Sequence, residues 1–146
     1  MVSFTGDTLE RIGESAFLCS GIEEFVAPSS LREVGYMAFS GCRALRCADL
    51  GACVLAGTGR NFLASRAFEN SGLEGVVLPS ALRVIGERTF SGCKNLKSVT
   101  FGDSPMLEEI EPDAFFECGL ESFPLLPSLK RVGDMAFGMC CALKEF

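Results

Sequence analysis

The 146-residue chain contains no histidine and no tryptophan, and its only tyrosine is Tyr36. Without an imidazole, no Ser-His-Asp or Cys-His arrangement can form, and no histidine can bind metal or move protons near neutral pH. Acid–base or nucleophilic work would fall to carboxylates, lysines and cysteines, and no catalytic residue is expected. No apolar run approaches the roughly 18–20 residues needed to span a bilayer, so direct membrane insertion is not expected. The opening Met-Val-Ser-Phe-Thr-Gly has neither the basic region nor the apolar core of a secretory leader. Asn61, Asn70 and Asn95 are the only asparagines, and none sits in a glycosylation sequon. Basic residues are outnumbered, 13 to 19, for a net charge of −6. That balance argues against nucleic acid or an anionic membrane as partner.

What the chain has in abundance is internal repetition. Six dipeptides align: Ala16-Phe17, Ala38-Phe39, Ala67-Phe68, Thr89-Phe90, Ala114-Phe115 and Ala136-Phe137, with Phe spacings of 22, 29, 22, 25 and 22. Five residues before each Phe stands an aliphatic: Ile12, Val34, Leu63, Ile85, Ile110 or Val132. Gly13, Gly35, Gly86 and Gly133 follow it in four copies. Three residues after each Phe is a small side chain: Ser20, Cys42, Ser71, Cys93, Cys118 or Cys140. Each unit then runs apolar-x-x-apolar-x-apolar, as in Leu73/Val76/Leu78, Leu96/Val99/Phe101 and Leu120/Phe123/Leu125. The final alternation is that of a half-buried strand, and Pro28, Pro79, Pro127, Gly51 and Gly102 mark turns at the same phase. Copies one, three and five carry a short Ser/Cys-Gly-apolar link after the Phe, whereas copies two, four and six carry one residue more. The array therefore reads as duplicated pairs. A unit of this size cannot bury its own apolar face, and stacking makes one continuous core.

This motif, apolar-x-x-Ile-Gly-x-x-Ala-Phe-x-x-Cys-x-x-Leu-x-x-Val-x-apolar, resembles the BspA-like leucine-rich repeats over residues 9–146. The resemblance implies an α/β-type solenoid: a parallel β-sheet on one face, with short extended pieces and single helical turns around Ala-Phe on the other. It implies one domain of six repeats over 1–146, interrupted by an irregular insertion near 52–61, where the spacing lengthens and Arg60 replaces the expected Leu. Proteins resembling this are often surface proteins of microbes and protists that bind other proteins or adhere, and others are segments of larger intracellular chains. Two functions are accordingly expected in order: a non-enzymatic protein-binding or adhesion module of a surface or secreted protein, or a spacer or scaffold inside an intracellular multidomain protein.

Eight cysteines invite a disulfide framework or a metal site. Cys42, Cys93, Cys118 and Cys140 fall in the column that also accepts Ser, which reads as selection for a small buried group. No Cys-x-x-Cys pair occurs, and neither a metal nor a cofactor is expected. The positions just after the first apolar residue of each strand read Glu23, Arg46, Glu74, Lys97, Glu121 and Lys144. Stacked coils would set opposite charges side by side, a device that holds register. The outward strand positions form the surface that the family resemblance assigns to partner binding. Glu24, Val26, Asp49, Val77, Ser98 and Thr100 are the candidate contacts with a protein ligand. That surface is small, mildly polar and short of the aromatic residues that favour strong interfaces.

Overall fold

The computed structural model describes residues 2–3, 7–56 and 59–146. Its strands are β1 (Val2–Ser3), β2 (Arg11–Ile12), β3 (Glu24–Val26), β4 (Glu33–Val34), β5 (Cys47–Asp49), β6 (Phe62–Leu63), β7 (Gly75–Leu78), β8 (Val84–Ile85), β9 (Ser98–Phe101), β10 (Glu109–Ile110) and β11 (Arg131–Val132). The odd-numbered strands from β1 to β9 form one parallel sheet in chain order. The bridge between Ser122 and Glu145 carries its direction into the last two coils. The aliphatic column builds a second, narrower ladder whose strands have two residues each, the chain turning directly after the aliphatic. It comes in two pieces, β2–β4 and β6–β8–β10–β11. The insertion that follows Asp49 separates β4 from β6, while β5 and β7 on the main sheet stay paired. Within the insertion Cys53 and Leu55 turn inward and are buried. Residues 57–58 lie outside the described residues.

The wall carrying the Ala-Phe motifs differs from expectation. No helical turn forms there, nor any helix among the described residues, so the architecture is a β-solenoid and not of α/β type. Hydrogen bonding supplies the reason. The amides of Ala16, Leu18 and Ser20 bond three residues back, to Gly13, Ser15 and Phe17. Those of Ser15, Phe17 and Cys19 instead donate sideways to the carbonyls of Tyr36, Ala38 and Ser40 in the next coil. The pattern recurs down the stack, with Phe39 to Ala67, Phe68 to Thr89, Phe90 to Ala114 and Phe115 to Ala136. A helix would direct every amide along its own axis; here alternate amides are spent on the neighbour.

That alternation goes with left-handed backbone on both sides of each Phe, kept in the last coil although Met135 and Met139 make no such lateral bond. The residues two before it (Ser15, Met37, Arg66, Arg88, Asp113, Met135) and two after it (Cys19, Gly41, Asn70, Gly92, Glu117, Met139) all have positive φ, between 54° and 73°. Only two of these twelve are glycine. The others bear a steric cost on the order of 1 kcal/mol each, which the inter-coil hydrogen bonds and the ring stack offset.

The core is a ladder of phenylalanines. Phe17, Phe39, Phe68, Phe90, Phe115 and Phe137 stack nearly parallel, with centroids 5.2, 5.1, 5.6, 5.2 and 5.3 Å apart. Four of the six are fully buried. Beside it runs the small-residue column, whose purpose is explicit in the geometry. Cys42, Cys93, Cys118 and Cys140 each donate S–H to the carbonyl of a column Phe in the preceding coil, at 2.9–3.1 Å. In the fourth copy Thr89 replaces alanine without leaving a buried hydroxyl unmatched, since its Oγ1 donates to Gly86 O at 2.7 Å.

Candidate binding face

Parallel pairing without slippage sets the outward side chains of the main sheet in two rows. Cα partners run Glu24–Cys47–Gly75–Ser98 in one and Val26–Asp49–Val77–Thr100 in the other. Of the six candidates, Val26, Asp49, Val77 and Thr100 therefore share a row across four adjacent strands. Glu24 and Ser98 lie in the second row, separated by Cys47 and Gly75. All are exposed except Val77, which is half-buried. Two candidates are partly committed to the fold. Asp49 accepts the Gly51 amide at 2.8 Å, holding the turn that leaves the strand, and Thr100 donates to Val76 O at 3.4 Å. Val77 packs over the same turn, so close that a Cβ on Gly51 would stand 3.1 Å from its Cγ1.

The face ends in a feature that the apolar pattern misassigned. The expected inward residue Leu125 is 71% exposed, and Leu126 takes its place in the core. Pro124 accounts for the slip. It stands at the position of Thr100 in the preceding coil, where proline has no amide to give that strand, while the Phe123 amide keeps its bond to the following coil, to Glu145 O at 3.1 Å. The sheet consequently opens beyond β9 into a shallow groove of about 540 Å³ bordered by Ser98, Thr100, Phe123, Leu125 and Phe146. A proline inside a strand-period pattern was the signal for it.

The charged columns flank the face, and they contact one another less evenly than their alternation implies. In the Glu23-to-Lys144 column only Lys97 and Glu121 approach as an ion pair among the described residues, at 3.8 Å and well exposed. Closer pairs lie on the second ladder: Arg83–Glu108 at 2.7 Å, Arg131–Glu109 at 2.6 Å and Arg11–Glu33 at 3.4 Å. The hydrogen bond from Arg131 holds the Glu109 carboxyl below its ordinary range. On the Phe wall the buried carboxylate of Glu69 is clamped by Arg88 at 2.9 Å and Arg66 at 3.5 Å.

These groups are structural in their contacts. Cys42, Cys53, Cys93, Cys118 and Cys140 are buried free thiols, whereas Cys19, Cys47 and Cys141 are exposed free thiols. Burial pushes the Cys53 and Cys93 thiols up to about 11. A hydrogen bond with Cys140 and then burial also push Cys118 up. Among the described residues no three of His, Cys, Asp and Glu gather as a metal site, and no helix is long and apolar enough to cross a membrane.

A parallel solenoid with a ladder of rings inside and a regular, solvated sheet outside defines a leucine-rich repeat scaffold. The chain belongs to the BspA-type leucine-rich repeat family, whose model matches in six copies over residues 2–55 and 61–146. No curated protein matches it. Among solved structures it is similar to a leucine-rich cell-surface protein from Faecalibacterium prausnitzii (TM-score 0.66, 22% identity, 92% of this chain and 41% of that one). It is similar also to the leucine-rich repeat protein of T. pallidum (TM-score 0.59, 25% identity, 93% and 55%). A third is the pneumococcal vaccine antigen PcpA (TM-score 0.57, 26% identity, 85% and 32%). The chain thus spans between a third and about half of the length of these neighbours.

Proposed function

We propose that this chain is a non-enzymatic protein-binding segment of a surface protein, with the contact made by the sheet face through Glu24, Val26, Asp49, Val77, Ser98 and Thr100. The observation that carries this reading is the fixed register of β3, β5, β7 and β9. It presents outward side chains on a backbone already ordered by stacking, so little conformational freedom is lost on binding. The surface location is supported by the printed description of one neighbour as a cell-surface protein and of another as a vaccine antigen. Without aromatic anchors the face suits a modest affinity or repeated, multivalent contacts.

One observation favours a second reading, a spacer or scaffold segment in an intracellular chain. All eight thiols are unpaired, the usual condition in reducing compartments. A pull-down from host or envelope extracts using the wild type, Val77→Arg, Thr100→Arg and Ala52→Arg tests the first reading. A specific partner should be lost with the two sheet variants and kept with Ala52→Arg, which alters the insertion. Loss in the insertion variant alone refutes the face as the contact.

A further inference from the structure

The two link lengths that alternate along the sequence have a consequence on the edge where the Phe wall meets the main sheet. Copy three has the short link, Ser71-Gly72-Leu73, between the longer links of copies two and four. Its backbone is recessed so far that a Cβ on Gly72 would stand 2.1 Å from Arg43 O. The recess is a cleft of about 450 Å³ floored by Gly72 and Gly92 and bordered by Arg43, Asn70, Lys94 and Asn95. A second lobe of about 300 Å³ continues from it past Arg43 and Asn95 towards Arg46, Glu23 and Glu74.

The polar groups around the cleft are available. The side chains of Arg43, Asn70 and Asn95 make no hydrogen bond or ion pair with any described residue, and Lys94 reaches only Glu117, at 4.0 Å. Copy five has the same short link, and a Cβ on its Gly119 would stand 2.3 Å from Lys94 O. Its following neighbour, however, offers Cys141 and Ala142 where copy four offers Lys94 and Asn95. The recess recurs in copies three and five, but the set of Arg43, Asn70 and Asn95 without internal partners lines only copy three.

We propose that this cleft binds a carboxylated sugar. The unpaired Arg43 guanidinium presents the planar fork that accepts a carboxylate through two parallel hydrogen bonds. The amides of Asn70 and Asn95 each offer donors and an acceptor, which matches ring hydroxyls that need both. No aromatic or aliphatic side chain borders the main cleft, so apolar ligands gain nothing there, while its size lies in the range of about 300–1,000 Å³ typical of small-ligand sites. The cleft lies off the outward rows of the sheet, and its occupancy does not depend on the protein contact proposed above.

The test is titration of the intact chain, followed by amide NMR shifts, with galacturonic acid, galactose and acetate in parallel. Galacturonic acid should bind saturably, shifting the amides of Gly72, Gly92 and Asn95. Galactose and acetate should bind about tenfold more weakly, each lacking one half of the recognised chemistry. Arg43→Gln should reduce galacturonic acid binding to the galactose level, and Asn95→Ala should weaken galacturonic acid but leave acetate unchanged. Val77→Arg should change none of these. Equal binding of acetate and galacturonic acid would mean that a carboxylate alone is captured and would overturn the proposal. Equal binding of galactose, an unaltered Arg43→Gln, or no saturable shift with any of the three would overturn it as well.

Discussion

Removing one ring from the middle of the phenylalanine ladder should be the most damaging single truncation in the molecule. Phe90 is fully buried and stacks on Phe68 at 5.6 Å and Phe115 at 5.2 Å. Phe90→Ala therefore loses the transfer free energy of the ring and opens a gap that cannot close, because the inter-coil amide bonds from Phe68 to Thr89 and Phe90 to Ala114 fix the coils on both sides. The two losses together should cost about 3–5 kcal/mol. At this chain length that corresponds to a fall of roughly 6–20 °C in Tm. Phe62 provides the comparison. It lies in β6, is half-buried and has Arg60 over its ring at 5.1 Å, so Phe62→Ala should cost about 1–2 kcal/mol. Urea denaturation of both variants, followed by fluorescence of Tyr36 and by circular dichroism, measures the difference. Equal losses would refute the ladder as the principal source of stability. A repeat stack can also unfold in parts, so a reduced slope for Phe90→Ala with coils one to three still folded would locate the damage at its coil.

Three further outcomes follow from the same geometry. A water-soluble thiol reagent should modify Cys19, Cys47 and Cys141 quickly in the native protein, and the five buried thiols only after unfolding; mass spectrometry showing Cys93 joined to Cys118 or Cys140 would refute the free column. Because Cys53 and Cys93 are held at about 11 against an ordinary 9.0, their contribution is full below pH 9. The unfolded chain ionises first as pH rises, so stability should fall between about pH 9 and pH 11, by about 2 kcal/mol per thiol. Urea midpoints across that interval would show it, and a smaller fall in Cys93→Ala would assign it. Met139→Gly should stabilise by about 0.5–1 kcal/mol, since Met139 is exposed at φ 59° where copies two and four already use Gly41 and Gly92; a lower midpoint than wild type would contradict the strained-wall account.

The parts of this structure legible in the sequence are those where a side chain's character follows from its burial. The Phe, aliphatic and small-residue columns each kept one character through six copies, and each proved to be one line of the core, with Val132 of the last coil exposed. The outward positions followed from the period of two in the strands. The Phe wall was not legible, because backbone conformation and not side-chain character decides it. Left-handed residues are usually announced by glycine, and here Ser15, Met37, Arg66, Arg88, Asp113 and Met135 occupy that conformation with none. The amides of the first five are drawn sideways by a neighbouring coil that no local window of sequence contains.

The same distinction explains the candidate sites. The sheet face could be placed residue by residue, yet its division into two rows depends on which strands are neighbours. The opening beyond β9 depends on one missing amide, at Pro124. The cleft in copy three depends on a difference in height between consecutive links. Gly72 in the sequence marks a short link and nothing more. In the stack it lies so close to Arg43 O that any side chain there would displace the coil, and the Arg43, Asn70 and Asn95 side chains border the cleft beside it, with Asn70 Oδ1 lying against Gly92. A repeat protein can thus vary its binding chemistry at the edges of coils through link length, while every residue that defines the repeat remains committed to the core.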